Sequence, residues 1–136
     1  MPDLRENCMA LLSRTVIADI EADAPTLNLL YTCPPGKKCI IEAVIAHSNT
    51  ASMAGATDMD FGGGAAAATP VFLDAFAGFA DMTAVDDYYV LRPAAGEYIM
   101  LQGDDATAAN RTFGVLVTAG ATAAGGISMD VFGILV

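Results

Sequence analysis

Few residues in this chain have the type and spacing that chemistry requires. The single imidazole, His47, is followed by Ser48-Asn49-Thr50. A Ser–His–acid set needs the hydroxyl within reach of the ring. Neighbours on a strand point to opposite faces, so Ser48 is not expected to be a nucleophile for His47. The expected role for His47 is a strand-end side chain bonded to a loop group.

Carboxylates occur in pairs: Asp58/Asp60, Asp86/Asp87 and Asp104/Asp105. Asp58 and Asp60 would share a strand face roughly 7 Å apart, a separation that glycoside hydrolysis can use. That chemistry also wants an aromatic sugar platform, and the chain has no Trp. Asp58-x-Asp60 before Gly62-Gly63-Gly64 resembles half of a cation loop, but the later ligands of such a loop are absent. The expectation is therefore solvated strand faces, with no metal and no cofactor. Gly62 to Ala68 lacks the Gly-Lys-Ser/Thr end of a phosphate loop and reads as a flexible surface loop. Cys8, Cys33 and Cys39 form an odd set without a CxxC pair. Cys33 and Cys39 flank the turn Pro34 to Lys38, and the expectation for them is small buried hydrophobes rather than a disulfide or zinc ligands. With no nucleophile–base set to assemble, the chain is expected not to be an enzyme.

The elements that would position these residues follow a period of two. Thr57 to Phe61 alternates, with Met59 and Phe61 on one face and both aspartates on the other. Thr26 to Cys33 would place Leu27, Leu29, Tyr31 and Cys33 together. Lys38 to His47 would group Cys39, Ile41, Ala43 and Ile45, with His47 continuing that face. Phe113, Val115 and Val117 make another stripe, and Tyr88 to Arg92 and Glu97 to Gln102 are short β-rich runs. Ile127 to Val136 is apolar on both faces after Asp130, as a central or covered strand would be. Turn signals punctuate the chain at Pro34-Pro35-Gly36, Ala54-Gly55, Pro93 to Gly96, Gly103-Asp104-Asp105 and Gly125-Gly126. Helical signal is weak: Pro2 to Ser13 has room for one or two amphipathic turns, and Phe72, Phe76 and Phe79 fit either spacing. The expected fold is all-β, one antiparallel sandwich or jelly roll of seven to nine short strands over residues 1–136, with residues 1–12 a docking arm.

The chain has 136 residues, which allows one domain. Sixteen acidic against six basic residues give a net charge of −10, so a phosphate-binding surface for nucleic acid or an anionic membrane is not expected. Mean hydropathy is +0.49 with 54% apolar residues, which leads to an expectation of apolar surface covered by a neighbouring chain. The longest charge-free run, Thr112 to Met129, has a Gly/Ala/Thr middle that reads as loop rather than membrane span. The acidic start lacks the pattern of a secretory signal, and synthesis in a cytoplasm is expected.

The segment Leu30-Tyr31-Thr32-Cys33-Pro34-Pro35-Gly36-Lys37-Lys38-Cys39-Ile40-Ile41 resembles a hairpin of small β-sandwich structural proteins of tailed bacteriophages. Asp58 to Gly62 and Ile127 to Leu135 resemble the same group, the three segments covering about a third of the chain. In size, acidity and terminal strand the chain is similar to the jelly-roll cement proteins that decorate tailed-phage capsids. The resemblance implies a homodimer on the capsid exterior, with the major capsid protein as partner and no catalytic residues. Partner contacts are expected from the N-terminal arm (Leu4, Cys8, Met9, Leu11, Leu12) and the apolar end (Phe132, Ile134, Leu135, Val136), the latter fitting a core strand equally well. A second reading is a receptor- or glycan-binding module of a phage tail or fibre, using Tyr88, Tyr89 and Tyr98.

Overall fold

The computed structural model describes residues 9–20, 26–64, 67, 71–95, 99–121 and 124–136. Among the described residues nine strands are formed: β1 (Ala10–Ile17), β2 (Thr26–Thr32), β3 (Lys38–His47), β4 (Asp58–Gly62), β5 (Val71–Phe76), β6 (Tyr88–Leu91), β7 (Ile99–Gln102), β8 (Thr112–Ala119) and β9 (Ile127–Leu135). They make two antiparallel sheets. One has the order β1-β9-β3-β6, with β7 also pairing β3, and the other β2-β8-β4-β5. β6 and β7 pair with successive stretches of β3 and act as one interrupted edge strand. The result is two four-strand-wide layers with the strand order of a jelly roll.

The apolar runs explain this arrangement. β9 is flanked by β1 and β3, as its two-sided apolar sequence predicted. Met59, Phe61, Phe113, Val115, Val117, Met129 and Val131 fill the space between the layers and are fully buried. At one end Phe61, Phe76, Phe79 and Tyr89 pack edge to face with ring centroids 5.0–6.2 Å apart. Phe76 belongs to β5 and Phe79 to a 3-10 turn, Gly78–Asp81, so their helical spacing reflects a strand followed by a turn.

Bulges in β1, β2 and β3 change which residues face outward. The register shifts at Leu12 in β1, Leu30 in β2 and Glu42 in β3. An inserted residue reverses the alternation beyond it. Leu27 and Leu29 therefore face solvent while Leu30 and Cys33 are buried, and the expected single face from Leu27 to Cys33 is corrected. Likewise Cys39 and Ile41 point inward with Val44 and Ala46, while Ile45 and His47 lie on the outer side. The hydroxyl of Ser13 donates to the carbonyl of Leu30 at 2.7 Å, so one bulge satisfies a backbone group displaced by another.

Two further expectations are corrected. Ala10 to Ser13 belongs to strand β1 rather than to a helical arm, because these residues pair with β9. Gly62 and Gly63 are buried, Gly62 as the last residue of β4, and so are not part of a surface loop. The expected helical turn over residues 2–8 lies outside the described residues.

Gly133 marks the tightest point of the outer sheet. A Cβ there would collide with the carbonyl oxygen of Ile40 and approach Leu12 Cδ1 at 2.8 Å. The Gly133→Ala variant is expected to lose about 1–3 kcal/mol of stability, read as a shift of the urea midpoint at constant slope.

Candidate functional site

The outer face of the β1-β9-β3-β6/β7 sheet is a ladder of cross-strand rows. Ile134 of β9, Ile40 of β3 and Met100 of β7 form one row. Leu11, Phe132 and Ala43 form the next, then Arg14, Asp130, Ile45 and Val90, then Val16, Ser128, His47 and Tyr88. Leu11 is 49% exposed, Val16 67%, Met100 43% and Val90 41%, and Ile40, Ile45, Phe132 and Ile134 are half-buried. A sheet normally turns a polar face to water. This face is apolar except at its centre and along the last row, which carries Ser128 and His47.

The centre is ionic. Arg14 Nε donates to Asp130 Oδ1 and Arg14 Nη2 to Asp130 Oδ2, both at 2.7 Å. The Asp130 side chain is 8% exposed and that of Arg14 58%. This bidentate pair holds the Asp130 carboxyl below the ordinary carboxylate range, the bonds from Arg14 being the main cause and burial opposing them. His47 Nε2 lies 3.1 Å from Asp130 Oδ2. It is buried and out of hydrogen-bond alignment. On the other side of the ring, Nδ1 and Ser48 Oγ are 2.8 Å apart.

Hydroxyl, imidazole and carboxylate thus line up, contrary to the expectation that Ser48 points away from His47. Ser48 has φ +54°, a left-handed conformation at the end of β3 that returns its side chain to the preceding ring. As expected, His47 is a strand-end residue bonded to a loop group. The arrangement is poorly suited to nucleophile activation, since both oxygens of Asp130 are committed to the guanidinium.

The expected contact residues divide by the direction in which they point. Met9, Leu11, Phe132 and Ile134 fall on or beside the outer apolar face. Leu12 and Leu135 instead pack against the core, and Val136 is exposed beyond β9 with its backbone bonded to that of Lys38. Leu4 and Cys8 lie outside the described residues, as does Tyr98. Tyr88 is exposed and Tyr89 half-buried against Phe76 and Phe79, the opposed directions expected of strand neighbours.

The opposite sheet carries a second apolar surface. Leu27, Leu29, Gly64, Thr107, Ala108, Ala109, Thr112 and Gly114 line an open groove of about 350 Å³. Gly114 is its floor, where a Cβ would come 2.8 Å from the Asn28 carbonyl oxygen. Farther across this sheet, on β4 and β5, Asp60 and Asp74 are hydrogen-bonded and Asp58 lies close by. The bond to Asp60 and the repulsion between the two charges raise the Asp74 pKa. Asp60 also accepts the N–H of Ala75, a left-handed residue, at 2.9 Å. No three metal-ligating side chains converge among the described residues.

Cys33 and Cys39 are buried free thiols, as expected of small hydrophobes. Tyr31 Oη is 3.2 Å from Cys39 Sγ, and Cys33 Sγ donates to the Lys37 carbonyl at 3.3 Å. Burial first, then the bond to Cys39, pushes the Cys33 thiol up to about 12, so it is an unreactive group. Asn49 escaped the sequence reading altogether. Fully buried, it donates to the carbonyls of Ala51 and Ala84 and accepts from Asp87 N, knitting two loops together. Its position after the only His was the available signal, and it pointed to the wrong chemistry.

No protein-family model and no curated protein matches the sequence.

Two titrations follow from these contacts. A depressed Asp130 adds stability that is present above the unfolded carboxyl pKa, about 3.9, and is lost as pH falls through the lower folded value. Arg14→Met is expected to lower the denaturation midpoint near neutrality, exposure of the guanidinium limiting the effect, and that difference should shrink on acidification in denaturant melts. Asp74 shows the opposite sign, because a raised carboxyl pKa stabilises the fold as pH falls and penalises it when both acids are ionised. Asp74→Asn is expected to raise the melting temperature at neutral pH, with the gain disappearing in acid.

Proposed function

We propose that this chain is a non-enzymatic structural protein of a tailed-phage virion, made in the host cytoplasm. It binds the outer surface of the assembled capsid and cements neighbouring capsomers, with the major capsid protein and a second copy of itself as partners. The observation that carries this reading is the pair of apolar surfaces on opposite layers of one sandwich, the sheet face around Leu11 and Phe132 and the groove around Leu27 and Leu29. A bridging protein needs two contacts held at a fixed separation, and a packed core between them supplies the rigidity.

The resemblance of the Leu30–Ile41 hairpin and of the closing strand to phage structural sandwiches supplies the setting. The net charge of −10 suits the exterior of a DNA-filled shell better than its interior. Binding only the assembled shell would stabilise it by mass action, with no cofactor and no chemistry. For the glycan-binding alternative, Tyr88 offers one exposed ring on its face, while the neighbouring Tyr89 is used in the core.

The test is the ratio of this protein to the major capsid protein in purified virions of the phage that encodes it. Near-stoichiometric abundance is expected. Leu29→Asp, on the exposed groove, is expected to keep the melting temperature and reduce virion occupancy about tenfold. A handful of copies per virion would transfer the protein to the tail or fibre, and absence from virions would remove the structural role.

A further inference from the structure

We infer that the outer face of the β1-β9-β3-β6/β7 sheet is the seat of a second copy of this chain, in a back-to-back pair centred on Arg14 and Asp130. Three observations lead there, and none depends on a capsid.

The first is extent. The sheet is four strands wide, and its longest members have 8 to 10 residues. Strand spacing and rise make that roughly 20 Å by 30 Å, or about 600 Å² in projection. Side-chain relief brings this near the roughly 800 Å² per partner of a stable association. The groove on the other sheet is a local feature that one or two side chains would fill.

The second is charge. A chain with a net charge of −10 repels its own copies wherever its surface is acidic. Among the described residues, the charged side chains within the four rows of this face are Arg14 and Asp130, which cancel. The opposite sheet carries Asp58, Asp60 and Asp74. Two copies meeting through that layer would bring like charges together, whereas two copies meeting through this one would not.

The third is composition by row. Exposed Leu11, Val16, Val90 and Met100 surround a guanidinium already fixed by its carboxylate. An apolar surface around an immobilised Arg is the arrangement of an interface hot spot, since ordering the Arg costs little further entropy on association. Pairing through this face would also leave each Leu27/Leu29 groove on the outside of the dimer, so that one dimer carries two equivalent grooves pointing away from each other.

The test uses the full chain in sedimentation velocity over a dilution series through the micromolar range. A dimer is expected. Leu11→Glu with Val90→Lys, both at exposed positions, should weaken it about 100-fold while far-UV circular dichroism and the melting temperature stay unchanged. Leu29→Asp should leave it intact. Hydroxyl-radical footprinting gives a variant-free reading, in which Met100 oxidation falls as dimer forms while labelling of Leu29 does not. A monomeric wild type, a dimer indifferent to the Leu11/Val90 pair, or a dimer lost in Leu29→Asp would each overturn the inference. The dimer and the virion role fail separately: a dimer that never enters virions keeps this interface, and a monomer found there discards it.

Discussion

The outer half of the molecule depends on how β9 is gripped between β1 and β3. Both neighbours bulge against the same stretch of β9, at Leu12 opposite Phe132 and Val131 and at Glu42 opposite Gly133 and Phe132. Each bulge adds local twist and resets which side chains face the core. The two act together because Gly133 leaves no room for a side chain between Ile40 and Leu12. A strand with a larger residue there would have to part from its partners, and with them from the register that places Arg14 opposite Asp130.

That register matters because Asp130 lies in an otherwise apolar row. A carboxylate buried on a sheet face costs several kcal/mol unless it is paired, and a one-residue slip of β1 would remove Arg14 to the other face. The ion pair therefore selects one alignment of β1 on β9. Its second neighbour, His47, comes from β3, so the single carboxylate touches side chains from both flanking strands. Ser48 completes the cluster through a backbone conformation that L-residues adopt at some cost. The four polar groups make one continuous feature on the surface, running from Asp130 in β9 to Ser48 at the end of β3.

The period-two pattern was enough to read the fold class, the central place of β9 and the inward stripe Phe113-Val115-Val117. It failed at the bulges, and for a physical reason. A bulge is decided by the partner strand, and no residue in Leu29-Leu30-Tyr31 or Ile41-Glu42-Ala43 announces one. Leu27 and Leu29 therefore seemed to share a face with Cys33, although they form the groove wall on the other side of the strand. The same blindness affected Ser48: a left-handed φ at a strand end is a tertiary outcome, and strand alternation misdirects the side chain. The apolar end was legible only as an ambiguity between tail and strand. It proves to be a strand whose outer residues, Phe132 and Ile134, still face away from the core. Asp130 was legible as the polar exception in β9, but its partners at sequence separations of 116 and 83 were not.

The two layers differ in what a neighbour would meet. On β4 and β5, Asp58, Asp60 and Asp74 hold like charge that is only partly relieved by the Ala75 amide. On β1, β9 and β3, Arg14 and Asp130 are matched within hydrogen-bonding distance and most of the surface around them is apolar. Water solvates the first surface well and the second poorly, so the free energy gained on covering them differs in sign as well as size. An acidic sandwich built this way repels like-charged neighbours more strongly along one layer than along the other. The asymmetry arises from strand register: the bulges at Leu12 and Glu42 set Leu11, Arg14 and Ile45 on the outer side around Asp130.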